Sequence, residues 1–398
     1  MFVRSEYSTL LARMKEPRGY MQVIMGPRQV GKSTMVGQVL KAAQQPFLFV
    51  SAEEAPNRDS KWISSIWMQT RQLMHLHNYD EMILAIDEIH KLQNWSEFVK
   101  AEYDRDTRES IKIKVILLGS SRLMIMDGLT ESLAGRFEVI EMGHWSYPEM
   151  KEAFGFNLEQ YIYYGGYPGG ARFVNNESRW RQYIKESIIE PAISQDVLLT
   201  KRIYKPALLR QLFNLGCVYS GELLSNNKIM GMLQDAGNSD TITTYLRVLN
   251  ESRMLEGLRK YAADEARKYM SVPKYQVWNN ALLSAQKGSK FANVFTNSES
   301  WGRWVESAIG AWLLSGCREY DYDVFYWRDK NEEVDFIVQM NDMIIAVEVK
   351  SGRRKTNSGI YTFENKFHPT QTIIVGTGGI PLSDLLSHNI TDFSHFSI

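Results

Sequence analysis

The residues Gly26-Pro27-Arg28-Gln29-Val30-Gly31-Lys32-Ser33 fit the spacing G-x-x-x-x-G-K-[ST], and Thr34 follows. This pattern serves phosphate chemistry: glycines let successive backbone N–H groups turn inward around an anion, and a following helix adds the positive end of its dipole. In that role Lys32 reaches the outer phosphates of ATP, Ser33 holds Mg²⁺, and Gly26 to Thr34 are the nucleotide contacts. The bland alternative is an ordinary glycine-bearing turn. Asp87-Glu88, at the end of Ile83-Leu84-Ala85-Ile86, supplies the other half of such a site. Asp87 is the expected second Mg²⁺ ligand, and Glu88 the residue that orients or deprotonates an attacking water. An acidic pair after a strand is otherwise a helix cap or a solvated turn, and the upstream loop tips the reading toward chemistry. Ser120, in Gly119-Ser120-Ser121-Arg122, either senses the γ-phosphate or caps a helix. Arg136 either reaches a neighbouring subunit's nucleotide as an arginine finger, which requires a homo-oligomer, or forms a surface salt bridge.

A second constellation lies near the C-terminus. Asp335 is followed, after 12 residues, by Glu348-Val349-Lys350, with a polar turn at Asn341-Asp342 between two apolar runs. The pattern predicts an antiparallel hairpin in which Glu348 and Lys350 share one face and Val347 and Val349 the other. Charges on an otherwise apolar strand need partners, and the spacing resembles the PD-(D/E)xK nuclease motif. That resemblance implies that Asp335 and Glu348 bind Mg²⁺ and that Lys350 positions or deprotonates water. It also implies a glutamate from a preceding helix, a place filled by Glu306 in the amphipathic stretch Trp301 to Leu314. The alternative is a strand edge blunted by charge. Arg353-Arg354-Lys355 beyond it is either a grip for a phosphate backbone or a solvated loop.

Elements must hold these groups in place. Apolar β-prone runs at Met21–Met25, Phe47–Val50, Met82–Ile86, Ile113–Leu118 and Phe137–Ile140, separated by helix-length stretches, predict a parallel α/β sheet buried on both faces. Further on, residues 201–275 carry 12 Lys/Arg against 7 Asp/Glu. Leu208, Leu209 and Leu212 repeat at helical spacing, Glu222-Leu223-Leu224 is expected to open a second helix, and Ile242, Tyr245, Leu246 and Leu249 mark a third capped by Asp240. A hairpin is expected to follow, completing a winged helix with Thr241, Thr243, Thr244 and Arg247 outward, either toward DNA or as a protein-interaction module.

The chain has 398 residues, 44% hydrophobic, 12% aromatic and 23% charged, values that exclude disorder and coiled coil. With 46 Lys+Arg and 46 Asp+Glu, any nucleic-acid partner must be met by a local patch. Cys217 and Cys317 lack the spacing of a disulfide framework or a metal site. No run is long enough for a membrane span, and the N-terminus does not read as a signal peptide, so no membrane partner and a cytoplasmic location are expected.

Taken together, GPRQVGKST, AIDEIHKLQNW, LLGSS, LAGRFEVIEMG and the Gly165–Gly170 segment GGYPGG resemble the bacterial and archaeal AAA+-type P-loop ATPases that carry a C-terminal domain of unknown function. His90 departs from the glutamine expected there. The resemblance implies an AAA+ core at 1–146 and a helical lid at 147–200, with GGYPGG as a lid turn near the nucleotide. To these the residue reading adds a winged-helix module at 201–275 and an α/β nuclease-like domain at 276–398. The implied function is ATP binding and hydrolysis controlling DNA engagement, with a regulator or assembly switch bearing a non-catalytic platform as the alternative. A small-molecule kinase is disfavoured by the adjacent Asp87 and Glu88.

Overall fold

The computed structural model describes residues 2–120, 125–126, 128–129, 132–197, 203–233, 238–264, 271–350 and 358–395. The chain divides into two compact units, at Gly143 and His144.

In the first unit the five apolar runs form five parallel strands: β1 (Met21–Met25), β2 (Phe47–Ser51), β3 (Met82–Asp87), β4 (Ile113–Gly119) and β5 (Phe137–Glu141). Their order is β2-β3-β4-β1-β5. Helices α1 (Glu6–Lys15), α2 (Lys32–Ala42), α3 (Lys61–His77) and α4 (Trp95–Arg108) precede or connect them. Val23, Met25, Leu84, Ile86, Val115 and Leu117 pack in one core with Trp67 of α3 and Val99 and Tyr103 of α4. The alternate residues Ile24, Ile83, Ile116 and Leu118 are equally inaccessible. Both faces are therefore covered, which is why these strands read as continuous apolar runs. The register places chemistry at one edge. Met25 pairs with Gly119 and Glu141, and Ser51 pairs with Asp87. The loop leaving β1, the end of β4 and the carboxylates ending β3 thus share the carboxyl edge of the sheet, where open α/β folds bind ligands.

The second unit opens with α5 (Tyr147–Phe154) and α6 (Leu158–Tyr164), started by reciprocal caps from Ser146 with Glu149 and from Asn157 with Gln160. The GGYPGG segment packs against Trp145, Tyr183 and Asn279. Helix α7 (Glu177–Tyr183) follows. Three further helices are α8 (Pro206–Val218), α9 (Asn226–Met232) and α10 (Ser239–Glu251). Two sequence expectations need correction here. The second of these helices starts at Asn226, capped by Ser225, and not at Glu222, because Gly221 at φ +84° turns the chain and Leu223 bridges to Lys274. The third is capped by Asn238, whose Oδ1 accepts from the Thr241 N–H at 2.9 Å, so Asp240 lies in the first turn.

Strands β6 (Leu255–Lys260) and β7 (Lys274–Val277) pair antiparallel. They are followed by α11 (Asn280–Lys287), α12 (Phe291–Thr296) and α13 (Ser298–Gly316), then by β8 (Asp323–Asp329), β9 (Glu332–Met340), β10 (Met343–Lys350), α14 (Ser358–Phe367) and β11 (Gln371–Gly376). The β9–β10 hairpin turns at Asn341, as its alternation predicts. One sheet runs β11-β10-β9-β8-β6-β7. The β6–β7 hairpin is its edge, because β6 also pairs parallel with β8 through Arg259 opposite Phe325 and Lys260 opposite Tyr326. No helix among the described residues is long and apolar enough to cross a membrane.

Candidate functional site

The loop after β1 is shaped by its glycines. A Cβ on Gly26 would lie 2.2 Å from the Met142 carbonyl oxygen, and Gly31 adopts φ +95° immediately before α2. Pro27 and Val30 are buried, Arg28 is half-buried, and Gln29 and Thr34 face solvent. Lys32 is buried and donates from Nζ to the carbonyls of Gly26 and Pro27, both at 2.9 Å. Ser33 Oγ donates to Asp87 Oδ2 at 2.5 Å, from the first turn of α2 to the end of β3. A hydroxyl and a carboxylate side by side are the hard oxygen donors that Mg²⁺ prefers.

Glu88 stands beside them at φ +51°, a left-handed conformation that is costly for a residue with a side chain. Its Oε2 accepts from Ser120 Oγ at 3.4 Å and lies 3.4 Å from His90 Nε2 and 3.9 Å from Lys91 Nζ. Burial pushes the Glu88 carboxyl above the usual carboxylate range, Lys91, Lys32 and Arg28 oppose that, and Asp87 adds to it. Burial, with Lys91, Arg28 and Lys32 nearby, pushes His90 down to about 3. The imidazole is therefore neutral near pH 7, and its approach to Glu88 is not an ion pair. Ser120 thus touches the predicted base directly, while Ser121 and Arg122 lie outside the described residues. Arg136 is held by a bidentate pair with Asp104, Nε to Oδ1 at 2.8 Å and Nη2 to Oδ2 at 3.1 Å. That is the salt-bridge arrangement of its two sequence readings.

The C-terminal constellation converges differently. Asp335 lies one step past the Phe336–Val347 pair of the hairpin, and its Oδ2 accepts from the Val349 N–H at 2.8 Å. Lys350 Nζ sits 3.2 Å from Glu348 Oε1. Burial and the neighbouring Asp335 push the Glu348 carboxyl upward, against Lys350. Glu306 comes from α13, but its partner is a lysine that sequence reasoning missed. Lys274, the first residue of β7, has no accessible side-chain surface. Its Nζ lies 2.6 Å from Glu306 Oε1, 3.6 Å from Glu333 Oε1 and 4.0 Å from Asp335 Oδ1, and it donates to the Asp335 main-chain oxygen at 3.1 Å. Burial works to strip its proton, and Glu306, Asp335 and Glu333 together more than reverse this, so the group stays charged. Among the described residues no group of three or more His, Cys, Asp or Glu is arranged to hold a metal ion. The Lys274 ammonium lies against Glu306 and Asp335, two of the three metal ligands expected from the sequence, while Glu348 keeps a buried Oε2 that makes no hydrogen bond among the described residues. The basic cluster 353–355 lies outside the described residues.

The sequence held one signal for Lys274, a lysine within a short β-prone stretch, Lys274-Tyr275-Gln276-Val277, that is entirely buried. Arg4 was also missed. It is buried and donates to the carbonyls of Val30 at 3.1 Å and Gly143 at 3.2 Å, bracing the phosphate-binding loop, and no local pattern marks it. On α10, Ile242, Tyr245, Leu246 and Leu249 face the core; of the four residues expected outward, Thr243 and Arg247 face solvent and Thr241 and Thr244 are half-buried.

Residues 18–151 match a family model described as an AAA domain, residues 155–292 a domain of unknown function (DUF8612), and residues 301–389 another domain of unknown function (DUF4143). The first unit thus has an AAA+-type P-loop ATPase fold, and uncharacterised domains follow it. Among solved structures, one from work on katanin self-assembly is 22% identical with a TM-score of 0.27, over 40% of this chain and 51% of that one. This chain accordingly spans about half the length of that structure. The Aeropyrum pernix ORC1 protein in complex with DNA is 12% identical with a TM-score of 0.33, over 73% of this chain and 93% of that one. A Thermotoga maritima RuvB variant is 17% identical with a TM-score of 0.32, over 64% and 88%. No curated protein matches the chain.

Proposed function

We propose that this chain is an ATP-binding and ATP-hydrolysing switch whose nucleotide state controls DNA engagement by its C-terminal half. The observation that carries the reading is the Ser33 hydroxyl against the Asp87 carboxylate, beside Lys32 on one flank and the Ser120-contacted Glu88 on the other. Lys32 and the N–H groups of the Gly26–Thr34 loop, all but Pro27, would bind phosphate oxygens. Ser33 and Asp87 would hold Mg²⁺, which supplies charge neutralisation at those oxygens. Glu88, oriented by Ser120 and with its proton affinity raised by burial, would accept the proton of the water whose oxygen bonds to the γ-phosphorus as the bond to the β-phosphate oxygen breaks. Arg136 would serve a neighbouring subunit of a homo-oligomer only after leaving Asp104.

For the C-terminal half we propose a helical lid at 147–200, a winged-helix module at 201–275 built on α8, α9 and α10, and a nuclease-like α/β fold at 276–398. The exposed Thr243 and Arg247 of α10, with Thr241 and Thr244 beside them, would face a DNA groove. The mixed β8–β11 arrangement with α13 carrying Glu306 supports the nuclease-like part. A second reading, a regulator or assembly switch whose C-terminal half is a non-catalytic platform, is favoured by the ammonium of Lys274 among the acids. The test is ATP binding and phosphate release by wild type, Lys32→Ala and Glu88→Gln, with DNA affinity measured with and without ATP. Normal turnover in Glu88→Gln overturns its role as base, turnover in Lys32→Ala overturns the loop as the site, and no phosphate release by wild type overturns the ATPase assignment. DNA affinity that ignores nucleotide overturns the switch.

A further inference from the structure

Two of the carboxylates that a metal-dependent nuclease would spend on a divalent ion, Glu306 and Asp335, are already engaged. Lys274 has three ammonium protons, and three acceptors stand around it: Glu306 Oε1 at 2.6 Å, the Asp335 main-chain oxygen at 3.1 Å and Glu333 Oε1 at 3.6 Å. The Phe336 ring centroid, 4.8 Å away, offers a cation a favourable face. Asp335 Oδ1 is 4.0 Å from the same nitrogen, and its Oδ2 accepts from the Val349 N–H. Glu348 pairs with Lys350 through Oε1, while its Oε2 is buried and makes no hydrogen bond among the described residues. A divalent ion of the Mg²⁺ class requires oxygens at about 2.0–2.1 Å in near-octahedral order. Placing one between Glu306 and Asp335 would set two cations on the same acceptors, one of them a side chain with no route to solvent.

We infer that Lys274 is the resident cation of this cluster, standing in the chain itself where a divalent metal would otherwise bind, so that the C-terminal sheet keeps a nuclease-like frame without metal-dependent cleavage. The inference rests on the nuclease-like reading of 276–398 given above. It assigns the sheet a binding role and leaves the P-loop unit as the seat of phosphate chemistry. Within the sheet Lys350 then neutralises Glu348, and Asp335 answers to Lys274 and the Val349 N–H, so removing either cation would leave a carboxylate uncompensated.

The experiment measures Mn²⁺ binding by electron paramagnetic resonance on the full chain without nucleotide, for wild type, Asp335→Asn, Lys274→Met and the double variant Lys274→Met/Asp335→Asn. The expected result is that wild type and Asp335→Asn bind Mn²⁺ alike. Lys274→Met should gain a site at least about tenfold tighter, whose occupancy raises its melting temperature, and the double variant should lose it. Wild-type binding that disappears in Asp335→Asn overturns the inference while leaving the nuclease-like frame standing. A folded Lys274→Met that takes no Mn²⁺ overturns both. Should Lys274→Met fail to fold, the comparison of wild type with Asp335→Asn still decides: equal binding supports the resident lysine, and Asp335-dependent binding refutes it.

Discussion

Replacing Lys274 by Met removes one positive charge from a wholly buried position and keeps the apolar stem roughly in place. Glu306 and Asp335 then lose the cation between them, and Glu333 keeps Arg328 at 3.9 Å, at side-chain exposures of 23%, 18% and 34%. Removing one partner of a buried pair typically costs 3–5 kcal/mol, and the partial exposure of these acids, Glu333 above all, argues for the lower end, about 3 kcal/mol near neutral pH. The pH dependence has a definite sign. Lys274 has a folded pKa above its unfolded one, so its contribution is fully present below the unfolded lysine pKa and is lost only as pH rises through the folded value. Glu306 is shifted upward, chiefly by burial, so the folded state holds its proton to higher pH than the unfolded state does, and this effect grows without the lysine. The deficit of Lys274→Met should therefore be smaller at pH 5, where the acids take up protons, than at pH 8. Hydrogen exchange at the β9 and β10 amides reads this locally in the full chain. About 3 kcal/mol corresponds to a loss of protection on the order of a hundredfold at pH 8. Unchanged protection, or a deficit that is larger at pH 5, would refute the claim that this ammonium holds the acids together.

Further tests address the other elements. Lys32→Ala should abolish ATP binding in a filter or fluorescence assay, and Glu88→Gln should retain bound ATP with turnover reduced by about 10²–10⁴. Because burial raises the Glu88 carboxyl and the base works deprotonated, wild-type turnover should fall as pH drops through that raised value. His90, neutral above about 3, should add no limb of its own between pH 5 and 8. Thr244→Ala with Arg247→Ala should weaken DNA binding at matched salt and flatten the salt dependence by roughly one unit of slope. Equal affinity and slope would remove α10 from the DNA surface. Ser120→Ala should lower turnover while leaving ATP affinity within about twofold, since Ser120 donates to Glu88, the residue placed to orient the water.

The phosphate-binding loop was legible because its chemistry is local. Gly26, Gly31, Lys32 and Ser33 lie within eight positions, and the strand before them reads as buried from its own residues. Asp87 and Glu88 were legible for the same reason, since Ile83-Leu84-Ala85-Ile86 announces a buried strand. Helix starts failed by a few residues: Ser225 and Asn238, whose side chains accept from backbone N–H groups of the first turn, cap the helices in place of Glu222 and Asp240. Lys274 escaped for a deeper reason. Its partners are 32, 59 and 61 residues further along the chain, at Glu306, Glu333 and Asp335, and no window of local sequence contains them. Arg4 is similar, since the carbonyl it braces at Gly143 is 139 residues away.

The pairing of β6 with β8 bears on how this chain can be cut. β8 carries Phe325, Tyr326 and Trp327, each at most 2% exposed, and its flank beside the first two is closed by Arg259 and Lys260. A fragment beginning at residue 276 would discard that flank and present an aromatic-rich strand with unpaired N–H and C=O groups, a template for self-association. It would also lose Lys274. Expression of the C-terminal segment by itself should therefore yield aggregates, whereas a fragment beginning at His144 keeps every strand of that sheet beside its neighbour.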